Sequence, residues 1–144
     1  LKKKEYLEEL DQYNFDKNEY CIIAGGTMLM YGLKSETGDI DLRISLKLFN
    51  ELKFKYNLIA TGKFPNHYEF NDIEVRVVDL SLEDIVYIDN YPVSSILKEK
   101  EWKLKSNREK DKKDLELIER YLNKKGDDFD KYLPVQTRDT AKHR

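Results

Sequence analysis

Two carboxylates, Asp39 and Asp41, stand one residue apart in the run Asp-Ile-Asp-Leu-Arg-Ile. Alternation along an extended strand puts both on one side, about 6–7 Å apart. Like charges so placed repel, and a cation between them relieves the repulsion. Mg²⁺ suits the pair, because it takes oxygen ligands and is held by one or two carboxylates together with substrate phosphates; Mn²⁺ is the other cation considered. Upstream, Gly25-Gly26 closes an apolar run and leads into Thr27-Met28-Leu29-Met30-Tyr31. A glycine turn entering a helix offers backbone N–H groups and a positive helix end to a phosphate. The Thr27 hydroxyl adds a donor. Phosphate cradle and metal site in neighbouring elements form the layout needed to bind a nucleoside triphosphate (NTP) through its metal.

The elements that must position these groups are legible in the patterning. Residues 2–13 read as a helix with Tyr6, Leu7 and Leu10 on one side. Tyr20–Ala24 is a short buried strand, and the two glycines let the chain turn with no Cβ in the way. Thr27 is placed to cap a helix that Gly32 stops. From Asp39 to Ile44 the chain alternates, with Asp39, Asp41 and Arg43 on one side and Ile40, Leu42 and Ile44 on the other. Ser45 caps a helix to about Tyr56, with Leu48, Phe49, Leu52 and either Phe54 or Tyr56 inward. A short strand is expected within 58–61. His67–Phe70 and Ile73–Asp79 form a hairpin over Asn71-Asp72, residues that tolerate left-handed backbone. Ser81-Leu-Glu-Asp84 resembles a capping box opening a short helix to about Ile88. Helices are then expected over 93–105 and 108–124, the last with Leu115, Ile118, Tyr121 and Leu122 on one stripe and Gly126 as its stop. The expected architecture is α/β (α+β): a small mixed sheet flanked by helices. One domain covers 1–126, with a sheet core over 20–80 and a helical part over 81–126. Residues 127–144 are expected to form a loosely held tail.

The combined motifs resemble the signature of the DNA polymerase β-like nucleotidyltransferase superfamily. Ala24-Gly25-Gly26, twelve intervening residues, then Asp39-Ile40-Asp41-Leu42 match its apolar-Gly-Gly and Asp-apolar-Asp-apolar segments. Thr37, just before the acidic pair, fits the bacterial forms. Arg108-Glu109-Lys110-Asp111-Lys112-Lys113-Asp114-Leu115 is similar to a helical segment of small bacterial nucleotidyltransferases related to abortive-infection toxins and to minimal nucleotidyltransferases. The similarity covers about residues 20–120. It implies a nucleotidyltransferase fold, an NTP substrate and metal-bound Asp39 and Asp41. It also implies a third metal-binding acid on a later strand. Glu74 is the better candidate, since Asp79 falls on the apolar side of its strand. Lys103, Arg108 and Lys110 would reach the triphosphate in the family's manner. Lys34 stands where relatives carry an Arg before Thr37, and it cannot make the bidentate fork.

Arg43 and Arg76 share faces with the carboxylates. They either hold triphosphate oxygens or neutralise the acids and displace the metal. The second outcome would make a catalytically inactive binding module, such as a toxin–antitoxin or regulatory component with a partner protein. Candidate acceptors for an active enzyme are a protein, a tRNA end or a small hydroxylated molecule. Trp102 could stack a base, although helix packing is the simpler reading. His67 and His143 lack metal-ligand spacing.

The totals bound these readings. Hydrophobic residues make up 40% and charged residues 38% of 144, a balance that excludes a disordered chain. No run approaches the ~20 apolar residues needed to span a bilayer, and no signal-peptide pattern is present, so no membrane partner is expected. Cys21 stands alone, which excludes an internal disulfide and a cysteine zinc site and suggests a cytoplasmic setting. Residues 98–125 carry eleven Lys or Arg against seven Asp or Glu, net +4, so the remainder is net −6. That basic stretch is either a polyanion surface or a solvated face laced with ion pairs.

Overall fold

The computed structural model describes residues 1–106 and 108–124. Among them lie five α-helices and seven strands in one mixed sheet. The strands are β1 (Tyr20–Ile22), β2 (Ile40–Ile44), β3 (Ile59–Ala60), β4 (His67–Phe70), β5 (Ile73–Val77), β6 (Ile85–Ile88) and β7 (Tyr91–Ser94). Their order across the sheet is β3-β4-β5-β2-β1-β7-β6. β1 and β2 run antiparallel at the centre; β5 joins β2 in parallel and β7 joins β1 in parallel.

The alternation in β2 decides which way the sheet faces. Ile40, Leu42 and Ile44 are buried, beside Ile73 and Val75 of β5. Each such side chain contributes roughly 1.5–3 kcal/mol by leaving water. A one-residue slip would turn all of them out and drive Asp41 and Arg43 into the core, so the register is strongly held. Helix α1 (Lys3–Asp11) adds Tyr6 and Leu10 to this core, and α3 (Leu46–Lys55) adds Leu48 and Leu52. Ser45 caps α3 by accepting the Leu48 N–H at 3.1 Å. Tyr56, not Phe54, turns inward; Phe54 is 93% exposed.

A second, smaller core joins α2 (Gly25–Met30), α4 (Ile96–Ser106) and α5 (Glu109–Lys124) through Met28, Ile96 and Ile118. Tyr121 and Leu122 pack against it, as the stripe predicts; Leu117 takes part where Leu115 was expected. Gly32, at φ 75°, ends α2. Leu33 N–H reaches Met28 O and Gly32 N–H reaches Leu29 O, the paired bonds of a Schellman stop.

Two expectations need correction. Residues 81–88 are not a helix: Asp79 caps a single 3₁₀ turn at Leu80–Leu82, and β6 follows. The helix expected from Val93 begins at Ile96, because Tyr91–Ser94 is β7. The sheet therefore extends beyond 20–80 to Ser94. The missed β6–β7 hairpin turns at Asp89-Asn90, with φ of 50° and 71°, the same left-handed pair that Asn71-Asp72 supplies to β4–β5 at 45° and 64°. The Gly126 stop and the 127–144 tail lie outside the described residues. Among the described residues, no helix is long and apolar enough to cross a membrane.

Candidate functional site

The face of β2 and β5 opposite the apolar core carries the charged side chains singled out in the sequence. Parallel pairing sets Asp41 opposite Glu74 and Arg43 opposite Arg76. Asp39 lies just before β2 and is exposed. All three acids line a cleft of about 740 Å³. Asp79 is elsewhere: its carboxylate accepts the Ser81 N–H at 3.0 Å and hydroxyl at 2.6 Å, so its work is capping.

Asp41 and Glu74 titrate as a pair. Burial pushes Asp41 up to about 7, and the hydrogen bond and charge of Glu74 add to the rise, followed by the charge of Asp39. Burial would raise Glu74 as well. However, the Lys63 hydrogen bond, the bond from Asp41 and the Lys63 charge hold it below its ordinary value. Burial and the facing carboxylate therefore both favour the protonated form of Asp41, while Lys63 favours the ionised form of Glu74. Lys63 Nζ is 2.7 Å from Glu74 Oε1, although its side chain is 60% exposed. Among the described residues, no three His, Cys, Asp or Glu side chains are gathered closely enough to hold a metal as they stand.

The glycine turn works differently from expectation. Neither glycine needs a left-handed backbone; the residue that adopts one is Ala24, at φ 56° and ψ −127°. The glycines are needed for close approach. A Cβ on Gly25 would stand 2.0 Å from Thr37 Oγ1, and one on Gly26 would stand 2.3 Å from Tyr6 Oη and 2.5 Å from Ile22 Cγ2. Gly25 and Thr37 line the cleft, whereas Gly26 is buried beneath it. Thr27 does not cap α2. It lies inside the helix, fully buried, and donates its hydroxyl to Ile22 O at 3.1 Å. Gly26 and Thr27 are thus withdrawn from the phosphate-binding set, because packing against α1 and β1 consumes them.

The predicted cations divide by partner. Arg43 meets neither Asp41 nor Glu74 in an ion pair; its Nη1 lies 2.5 Å from Glu83 Oε1. Arg76 stacks its guanidinium over Phe64, 5.3 Å from the ring centre. Lys34 lies 2.7 Å from Asp114 and Lys103 lies 2.9 Å from it. Arg108 Nε is 2.7 Å from Asp111. Lys103 is only 4% exposed, so it braces α4 against α5 and does not project into solvent. Lys98–Glu101, Lys100–Glu119 and Lys112–Glu109 pairs run along the same helices, which supports the ion-paired face over the polyanion surface. Even so, Lys34, Lys103, Arg108 and Lys110 all line the same cleft as the acids.

Three contributors were not singled out from the sequence. Lys63 on the loop before β4 holds Glu74. Tyr6 buries its hydroxyl under Gly26, without a hydrogen-bond partner. Glu99 accepts the strained Ala24 N–H at 2.5 Å. In the sequence, Glu99 and Lys103 read as an i,i+4 pair on a solvated face, and no local signal shows that both are buried. No protein-family model matches the chain, and no curated protein matches it.

Proposed function

We propose that the chain is a Mg²⁺-dependent nucleotidyltransferase of the kind its motif spacing resembles, transferring a nucleotide from an NTP to a hydroxyl group. The observation that carries this reading is the in-register placement of Asp41 beside Glu74 at the wall of a cleft that Arg108 and Lys110 also line. Two half-buried carboxylates side by side, with Asp39 on the same cleft, form an oxygen-only donor set of the kind a divalent cation takes. Asp39 and Asp41 would hold the metal, with Glu74 completing the site. When bound, the metal supplies charge stabilisation at the phosphates and lowers the pKa of the attacking hydroxyl.

The chain's own residues do the rest. Gly25 and Thr37 line the cleft that would take the triphosphate, while Arg108 and Lys110 face the phosphate charge. Glu74 accepts the proton of the acceptor hydroxyl as its oxygen bonds to the α-phosphorus. The α–β anhydride bond breaks, and pyrophosphate leaves with its electron pair. A cytoplasmic setting accords with the lone, buried Cys21.

A second reading is favoured by one contact. Lys63 Nζ, 2.7 Å from Glu74, stands where a cation would act, as in an inactive module that binds a partner protein in a toxin–antitoxin or regulatory role. Incubation with each labelled NTP and Mg²⁺, against protein, tRNA and small-molecule hydroxyl acceptors, separates the two. Label transfer that disappears in Asp41→Asn supports the enzyme. Absence of any Mg²⁺-dependent thermal shift with NTP supports the module.

A further inference from the structure

A recess of about 170 Å³ opens off the cleft, across the polar face of the sheet. It is smaller than the roughly 300–1,000 Å³ of a drug-sized ligand site, so it suits a single ring system and not a whole nucleotide. Trp102 and Phe64 wall it, with ring centres 5.6 Å apart and planes at 62°. His67 stands edge-on to Phe64 at 5.5 Å. Glu99 lies one helical turn before Trp102 and is 3% exposed, at the back of the same recess. One of its oxygens accepts the Ala24 N–H; the other, Oε2, is buried with no hydrogen-bond partner. A buried carboxylate oxygen left unpaired is costly, and native structures rarely keep one without a reason.

We infer that this recess takes the base of the donor nucleotide, with Glu99 Oε2 accepting a hydrogen bond from an amino group on the ring edge and Trp102 and Phe64 together forming the aromatic wall beside it. The inference rests on the nucleotidyltransferase reading and narrows it to nucleotides with an amino-bearing base. Recess and cleft share Asp41, Glu74 and Trp102, so a base in one places its phosphates in the other. Aromatic side chains supply stacking that any base would enjoy. Glu99 supplies the discrimination in its ionised form, since an oxo group at the same edge would set acceptor against acceptor.

The test is Mg²⁺-dependent binding of two matched pairs that differ by amino against oxo: ATP against inosine triphosphate, and CTP against UTP. The amino member of each pair is expected to bind roughly tenfold tighter or more, the effect of one charge-assisted hydrogen bond. Glu99→Gln keeps an acceptor for Ala24 and presents a donor to the ring, so it should flatten or invert the preference. Trp102→Leu should weaken all four nucleotides alike. Equal binding of amino and oxo members by the unaltered protein overturns the inference alone. So does a preference that survives Glu99→Gln. Failure to bind any of the four overturns the nucleotidyltransferase reading with it.

Discussion

Asp114 and Asp41 are both drawn in from solvent, yet their surroundings are opposite. Asp114, with Asp111 one turn earlier on α5, meets Lys103, Lys34 and Arg108. Burial would raise both carboxyls, but their partners hold them below the ordinary range: Arg108, Ser106 and Lys103 for Asp111, Lys34 and Lys103 for Asp114. Asp41 faces another carboxylate, and burial drives it up. The first cluster is complete within the chain. The second is short of positive charge. Asp111 and Asp114 are therefore held ionised by the cations around them, whereas the facing carboxylates of Asp41 and Glu74 have Lys63 alone in an ion pair among the described residues.

The largest expected effect tests the completed cluster. Lys103→Met strips Asp111 and Asp114 of their shared buried cation and should cost about 3–5 kcal/mol in urea unfolding. A loss under about 1 kcal/mol would show the cluster to be as solvated as any surface pair.

The pH dependence separates the clusters next. Asp41 has its pKa raised from 3.8 to about 7 on folding, so the folded state binds its proton more tightly than the unfolded state does. Its stabilising contribution is present below about pH 4 and is lost as pH rises through about 7. Asp111 and Asp114 are lowered, so their contribution is present above about pH 4 and lost as pH falls through their folded values. Metal-free protein should therefore be most stable in mildly acidic solution, and saturating Mg²⁺ should move the maximum upward. A urea midpoint that stays flat between pH 5 and 8 would break the contrast.

Asp41→Asn should stabilise the metal-free protein at pH 8 by on the order of 1–2 kcal/mol, while removing metal-dependent NTP binding. Destabilisation comparable to Lys103→Met would put both clusters in the same structural role. The smallest effect belongs to Lys63→Ala. The urea midpoint should not move, because the side chain is largely in solvent. Glu74 should titrate higher, and Mg²⁺ affinity should rise.

Much of this arrangement was readable from residue order. The β2 alternation, the Ser45 cap, the Gly32 stop and the Asn71-Asp72 turn are local decisions, made by side chains a few residues apart. Parity turns Asp41 and Glu74 each away from the apolar side of its own strand, but that β2 and β5 pair in register is seen only in the fold. The β6–β7 hairpin was missed although Asp89-Asn90 carries the same turn chemistry. Ser81 and Asp84 imitated a helix cap, and Pro92 argued against a strand. The reason for Gly25 and Gly26 lies in Thr37 and Tyr6, which meet them only in the fold. Ion-pair partners were the least legible. Arg43 could have met Asp41, Glu74 or Glu83, and only the placement of the segment after β5 selects Glu83.

The two parallel pairings also differ in the length of chain that each must close. Both hairpins and the β1–α2–β2 unit close over short stretches of chain and can form early. Pairing β2 with β5 brings Asp41 to Glu74 across 33 residues, whereas pairing Ile22 with Val93 spans 71. That longer closure carries α4, and with it Glu99 and Trp102, over a sheet face where the acids already stand. A chain emerging from the ribosome would thus hold its carboxylates open to water until the residues after β7 are made, and the recess beside Trp102 is complete only then.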